Sequence, residues 1–292
     1  MTLILKSKPV IDLHKKVLTE KVISLKKLGI TPTLKVILVG DHGPSIIYTK
    51  NKKKFCESIG ADCEIIKLSE SVSEKDFLDT INQIALSAEA HGFFVQLPLP
   101  THLQHINVGK LIPPHKDVDG FHAENFAGLI TGDKGEKSLI PCTPKGIITL
   151  LQHYDIPIAK KNVLVIGRSL IVGKPMQMLL TNYDATVVLA HSQTQDIKVW
   201  SSQADIIISA IGRPRYFDHE CLDPNKKNQT LIDVGICYDE NNKLCGDFNY
   251  DELLNKCAAI TPVPGGVGPM TILSLAQNLV QAAEQAYEGR NS

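Results

Sequence analysis

Tyr48 and Lys52 stand four residues apart, so on a helix they share one face. A phenol and an amine held side by side can move protons or clamp a flat ring. The same residues lie within the basic run Lys50, Lys52, Lys53 and Lys54, which also describes a plain solvated face. Short-chain dehydrogenases use a Tyr-x-x-x-Lys pair that follows the dinucleotide-binding turn. Here the pair precedes the strongest candidate turn by more than a hundred residues, which disfavours that mechanism.

That turn is the strand-like Asn162-Val-Leu-Val-Ile running into Gly167-Arg-Ser-Leu-Ile-Val-Gly173-Lys-Pro175. A glycine where a buried strand meets a helix lets backbone N–H groups approach a phosphate, whose charge the helix N-terminus favours. The spacing is not G-x-G-x-x-G. Ser169 stands at the second glycine and Gly173 falls six residues on rather than five, so a structural strand-to-helix turn stays open. The next strand-like run, Ala185-Thr-Val-Val-Leu-Ala190, ends in His191-Ser192. An NAD site usually places a carboxylate roughly 20 residues on, for the ribose 2′-hydroxyl. After that strand end none occurs until Asp196, whereas Arg168 and Ser192 suit a 2′-phosphate, which favours NADP. Ala210-Ile-Gly-Arg-Pro214 and Asp233-Val-Gly-Ile236 would lie along the same carboxyl edge.

Three further segments admit two readings each. Asp119, in Lys116-Asp-Val-Asp-Gly120, is either part of a solvated acidic turn or a carboxylate that accepts paired N–H donors; the spacing does not fit a calcium loop. Gln96, at a strand end before Leu97-Pro-Leu-Pro100, is either a loop amide or a ligand contact. Pro264-Gly-Gly-Val-Gly-Pro269 is either a turn or a place where a backbone approaches a ligand closely.

The elements that must position these residues alternate strand and helix, which predicts an α/β fold with mainly parallel strands. Strands are expected at 33–40, 62–67, 93–96, 162–167, 185–190, 204–210 and 231–235. Helices are expected from a Ser45 N-cap to Ile59, over 75–90, from Thr143 to His153, over 173–182 and over 270–287. Residues 113–144 read as a long irregular binding loop. A length of 292 residues fits two domains. The 31 basic residues balance the 31 acidic ones, which argues against a nucleic-acid binder. No apolar run approaches the ~18 residues of a membrane span, and Met1-Thr-Leu-Ile-Leu-Lys-Ser-Lys shows no signal peptide. The seven cysteines are odd in number and lack C-x-x-C spacing, so neither a disulfide framework nor a metal site is expected, and the compartment expected is the cytoplasm.

Ten motifs, in order, resemble those of the bifunctional methylenetetrahydrofolate dehydrogenase/methenyltetrahydrofolate cyclohydrolase family. They are Ser45-x-x-Tyr48-x-x-x-Lys52, Val95-Gln-Leu-Pro-Leu-Pro100, Lys116-Asp-Val-Asp-Gly-Phe121, Pro141-Cys-Thr-Pro144, Gly167-Arg-Ser169, Val172-Gly-Lys-Pro175, His191-Ser192, Asp233-Val-Gly235, Gly246-Asp247 and Pro262-Val-Pro-Gly-Gly-Val-Gly-Pro-Met-Thr271. The resemblance implies NADP-dependent oxidation of 5,10-methylenetetrahydrofolate, then hydrolysis to 10-formyltetrahydrofolate. It implies Lys52 as the key group of ring opening and Gln96 as its tuner. Tyr48 then packs on the pterin, Asp119 binds its amino-pyrimidinone edge, and Val95, Leu97, Pro264, Gly265, Gly266, Val267 and Gly268 contact substrate. Gly167, Arg168, Ser169, Ser192 and Ile236 match NADP contacts. A lysine works as an acid or base near neutral pH only if burial or positive neighbours lower its pKa from about 10.4. The surplus lysines also offer a landing for a polyglutamate tail, against a plain solvated face.

The resemblance further implies two α/β domains flanking a cleft, with residues 1–145 plus about 270–292 for substrate and about 146–269 as a Rossmann-like NADP domain. A homodimer is the family's usual state. A cis peptide is expected at Leu97-Pro98 or Val263-Pro264. Phe93-Phe94, in place of smaller aliphatics, and Val188-Leu-Ala190, in place of more polar residues, depart from the pattern at no matched functional position. Rival readings are a dehydrogenase-only or NAD-using relative, a shikimate-type or amino-acid dehydrogenase, and a folate binder without chemistry. Lys52 and Gln96 argue against the first of these, Arg168 and Ser192 against NAD, and Lys116-Asp-Val-Asp-Gly120 against an unrelated dehydrogenase. A non-catalytic binder would be expected to have lost Lys52 or the cofactor-turn glycines.

Overall fold

The structure is a computed structural model and describes residues 1–223, 226 and 228–291. In chain order its elements are β1 (Leu3–Ile4), α1 (Ser7–Lys27), β2 (Thr33–Val39), α2 (Gly43–Ser58), β3 (Asp62–Leu68), α3 (Glu74–Leu86), β4 (Gly92–Val95), α4 (Ala123–Ile130), α5 (Cys142–His153) and β5 (Asn162–Ile166). There follow α6 (Gly173–Asn182), β6 (Thr186–Ala190), α7 (Ile197–Gln203), β7 (Ile206–Ser209), β8 (Thr230–Asp233), β9 (Cys237–Tyr238), β10 (Leu244–Cys245), α8 (Tyr250–Leu253), β11 (Ala259–Ile260) and α9 (Val267–Asn291). Two compact units result, and both are α/β with parallel main sheets.

The first unit gathers Leu13–Gly128, Lys137–Cys142 and the chain from Ile272 onward. Its sheet runs β3-β2-β4, all parallel. Leu34, Val36, Ile37, Leu38 and Val39 of β2 are all buried, the near-continuous apolar run of a parallel strand covered on both faces. α3 is capped by Ser73, whose Oγ accepts the Asp76 N–H. Its stripe of Phe77, Ile81 and Ile84 packs against Ile37, Val39, Phe93 and Val95. The Ser45 cap does not form: α2 starts at Gly43 behind His42, and Ser45 Oγ instead donates to the Leu97 carbonyl at 3.3 Å. The irregular stretch after Pro113 contains α4, where Ala123-Glu-Asn-Phe-Ala supports eight helical residues.

The second unit holds Met1–Asp12, Leu129–Glu136 and Thr143–Thr271. Its six-stranded parallel sheet has the order β1-β11-β8-β7-β5-β6. From β5 the chain goes to β6 on one side and to β7 on the other. The carboxyl ends of β5 and β7 therefore flank a topological switch point, where open α/β sheets bind ligands. The sequence expectation put the opening residues with the substrate domain. Leu3 and Ile4 instead pair with Ala259 and Ile260, because an exposed edge of β11 offers backbone groups that β1 satisfies. Both Leu97-Pro98 and Val263-Pro264 are cis.

Candidate functional site

Lys52 lies on α2 one turn beyond Tyr48, and the helix brings both over the carboxyl end of β4. Lys52 is only 5 % exposed. Its Nζ is 3.7 Å from the Phe94 ring centroid, 5.0 Å from that of Tyr48 and 3.7 Å from Asp119 Oδ1. A desolvated ammonium over an aromatic face gains about 2 kcal/mol. The neighbours are thus two rings and a carboxylate rather than the lysines of the same run: Lys50 and Lys54 are exposed, and Lys53 pairs with Glu57. Gln96 follows β4, with its N–H bonded to the Ile37 carbonyl. Its Nε2 donates to Leu97 O at 2.7 Å, while its buried Oε1 meets no donor among the described residues.

Asp119 is held by residues around it. Lys116, buried, donates to the Ala85 and Ser87 carbonyls at 2.9 and 2.7 Å, where the end of α3 leaves acceptors unpaired. Burial lowers the Lys116 pKa. Asp117 is 3 % exposed and accepts the N–H groups of Gly120 and His122 and the Asn125 side-chain amide. Burial, assisted by the charge of Asp119, pushes the Asp117 carboxyl up to about 6 against these donors. Gly120, at φ +79, turns the chain where a Cβ would lie 2.5 Å from Pro141 N. Asn278 of α9 donates to both Val118 O and Ile140 O at 2.8 Å.

In the second unit Gly167 ends β5 with φ +115. A Cβ there would meet the Ala210 carbonyl oxygen at 2.6 Å, and one on Gly173 would meet the Gly167 carbonyl oxygen at 1.8 Å. The turn therefore closes tightly onto the N-terminus of α6. Ser169 Oγ braces it by accepting the Val172 N–H at 3.1 Å. Arg168 and Ser192 are exposed at the ends of neighbouring strands. Glycine turn, ten-residue helix and a guanidinium with a hydroxyl fit a dinucleotide phosphate with a further phosphate on its ribose. Ile236 is exposed beyond β8, and its Cδ1 is 3.8 Å from where a Cβ of Gly268 would sit, so the Pro264–Gly268 segment and Ile236 adjoin.

The family model of the tetrahydrofolate dehydrogenase/cyclohydrolase catalytic domain matches residues 5–119, and that of the same family's NAD(P)-binding domain matches residues 141–287. The chain belongs to this family. It is a folate enzyme with dehydrogenase and cyclohydrolase activities. The bifunctional protein FolD of Lysinibacillus sphaericus is 47% identical over 265 residues, 91% of each chain. The bifunctional FolD of Campylobacter jejuni is 39% identical with a TM-score of 0.92, covering 98% of this chain and 99% of that one. The Trypanosoma brucei FolD, solved with NADP cofactor and inhibitor, is 30% identical with a TM-score of 0.88 over 98% of both chains.

Against this family background, the first unit gathers Tyr48, Lys52, Val95, Gln96, Leu97 and Asp119, and the second gathers Gly167, Arg168, Ser169, Ser192, Ile236 and Pro264 to Gly268. Phe94, read as a departure touching no functional position, forms a wall of the Lys52 site. Its place in a continuous apolar, buried strand gave it the signature of core. Asp117, Asp233 and Asp247 sat inside quoted motifs without roles. Asp233 is 4 % and Asp247 0 % exposed. Burial pushes the Asp233 carboxyl up to about 7, with Asp247 adding to the rise and three backbone N–H donors opposing it. Among the described residues no group of His, Cys, Asp and Glu could hold a metal ion, all seven cysteines are free, and no helix is long and apolar enough to cross a membrane.

Proposed function

We propose that this chain oxidises 5,10-methylenetetrahydrofolate to the 5,10-methenyl form with NADP and hydrolyses that product to 10-formyltetrahydrofolate, with Lys52 as the proton carrier of the hydrolysis. The observation that carries this reading is Lys52 Nζ, desolvated and set 3.7 Å from both Asp119 Oδ1 and the Phe94 ring. NADP, when bound, supplies a hydride acceptor. Gly167, Arg168, Ser169, Ser192 and Ile236 would hold it, with Arg168 and Ser192 suited to the 2′-phosphate. Hydride loss needs no side-chain acid, because the lone pair of the substrate nitrogen drives it; orientation is the chain's contribution.

Tyr48 packs on the pterin. Asp119, whose two oxygens offer about four acceptor sites, accepts the paired N–H donors of the amino-pyrimidinone edge. Val95 and Leu97, and in the other unit the Pro264-Gly265-Gly266-Val267-Gly268 segment, are further substrate contacts. In hydrolysis, water adds to the cationic methenyl carbon and gives up both its protons in turn: one passes to the ring nitrogen as its bond to that carbon breaks, leaving the formyl group on the other nitrogen, and the other is released to solvent. Lys52 Nζ moves these protons, and Gln96 orients it or the water through its unpartnered Oε1. The exposed lysines of α2 suit a polyglutamate tail.

The functional division of the chain lies near residues 145 and 270, with the short segments 1–12 and 129–136 packing in the cofactor unit. We assign the protein to the cytoplasm as a homodimer, feeding one-carbon units to purine and amino-acid synthesis; light scattering at micromolar concentration checks the dimer. The decisive experiment is absorbance of purified wild type and Lys52→Met with methylenetetrahydrofolate and NADP. The variant is expected to make NADPH and accumulate the methenyl form, with hydrolysis down at least a hundredfold. A variant that hydrolyses normally would remove Lys52 from the mechanism.

A further inference from the structure

Three loops at the carboxyl edge of the six-stranded sheet converge on one buried carboxylate. Asp247 Oδ2 accepts the Ser209 hydroxyl at 2.7 Å and the Ile211 N–H at 2.9 Å. Its Oδ1 accepts the Arg213 N–H at 2.9 Å, with the Cys237 thiol at 3.9 Å. Ser209 ends β7 and pairs in register with Asp233, the last residue of β8. Asp233 Oδ1 in turn accepts the N–H groups of Gly235 and of Asp247 itself, and Oδ2 accepts that of Phe248, all at 2.9 Å. The fit leaves no room for side chains. A Cβ on Gly235 would sit 2.3 Å from Asp247 Oδ1, and one on Gly246 would sit 2.0 Å from Asp233 Oδ2.

These bonds run to the two places where the cofactor reading puts contacts. The loop after β7 carries Ala210, whose carbonyl oxygen abuts Gly167, and the loop after β8 carries Gly235 and Ile236. Gly212, Arg213 and Ile236 are exposed, and Ile211 packs on the core only in part, so apolar burial alone does not fix these stretches. Hydrogen bonds donated to a fully desolvated carboxylate are short and directional, and they do fix them. We infer that Asp247 is a positioning residue for the dinucleotide, holding the 210–213 and 234–236 loops in one arrangement through Ser209, Ile211, Arg213 and the Asp233–Gly235 link. The inference rests on the proposed cofactor contacts at Gly167 and Ile236.

The test uses the full-length enzyme with Asp247→Asn, an isostere that turns one acceptor into a donor facing another N–H. KM for NADP is expected to rise at least tenfold. KM for methylenetetrahydrofolate and hydrolysis of methenyltetrahydrofolate, assayed without NADP, are expected to stay within twofold. A role confined to stability would lower both activities together with KM for NADP unchanged, and that result overturns the inference. Ser209→Ala removes a single donor and serves if Asp247→Asn does not fold; a threefold rise in KM for NADP is expected, and none overturns the inference. Wild type that reduces no NADP would overturn the cofactor reading itself, so the two failures are distinct.

Discussion

Lys52 is almost wholly buried, and its surroundings bear on what it can do. The two rings tolerate its charge, and Asp119 at 3.7 Å balances it at more than direct-contact distance. That carboxylate depends on Asp117 two residues earlier, whose own ionisation is disfavoured by burial. Asp117 binds its proton more tightly in the folded chain than in the unfolded one, where it titrates near 4. Its contribution to stability is therefore greatest at low pH, falls as pH rises from about 4 to about 6, and is constant above. The stability of wild type minus that of Asp117→Asn is expected to drop by up to about 3 kcal/mol across that window. Urea unfolding at half-unit steps from pH 4 to 8 checks this; a gap constant with pH would show that Asp117 ionises in the fold as it does in water.

At the scale of elements, the segment that presents Asp119 is irregular backbone, and it is tied down from three helices. Lys116 plugs the end of α3, Asn125 of α4 donates to Asp117 and to the Pro114 carbonyl, and Asn278 of α9 bridges Val118 and Ile140. Asn278→Ala leaves two buried carbonyls without that donor and is expected to destabilise by about 2–4 kcal/mol. It should also raise KM for the folate several-fold, as denaturant titration and steady-state kinetics will read. Much of this frame was legible in sequence: the apolar runs of β2, β5 and β7, the glycines that end them, and the long apolar period of α9. What escaped did so for physical reasons. The buried residues of α1, Val10, Leu18, Val22 and Leu25, are blurred by exposed Leu13, Val17 and Ile23, so no clean stripe shows. β1, β9, β10 and β11 are two residues each, too short for any period. The Tyr48–Lys52 spacing announced itself because both lie on one helix. Asp247 did not, because its partners at Ser209, Ile211 and Arg213 are 34 to 38 residues away, and only the folded sheet brings them together.

For the whole molecule, the expected proton-transfer residues all fall in one compact unit and the expected dinucleotide contacts in the other. The hydrolytic step needs no cofactor, so damage to the dinucleotide contacts should leave it intact. Net charge is zero, so no general field of the protein draws in a phosphorylated ligand, and local cations must do so. Arg168 is the cation on the β5 turn, exposed and next to the glycine that admits the backbone. Arg168→Ala is expected to raise KM for NADP tenfold or more while changing KM for NAD less than threefold, since only NADP carries the 2′-phosphate that a guanidinium grips in bidentate fashion. Hydrolysis of methenyltetrahydrofolate, followed by its loss of absorbance without cofactor, should stay within twofold. Equal losses with both dinucleotides would move Arg168 from the 2′-phosphate to the pyrophosphate. A parallel fall in hydrolysis would mean that the turn after β5 also shapes the Lys52 site, and the two chemistries could then not be tuned separately by substitution.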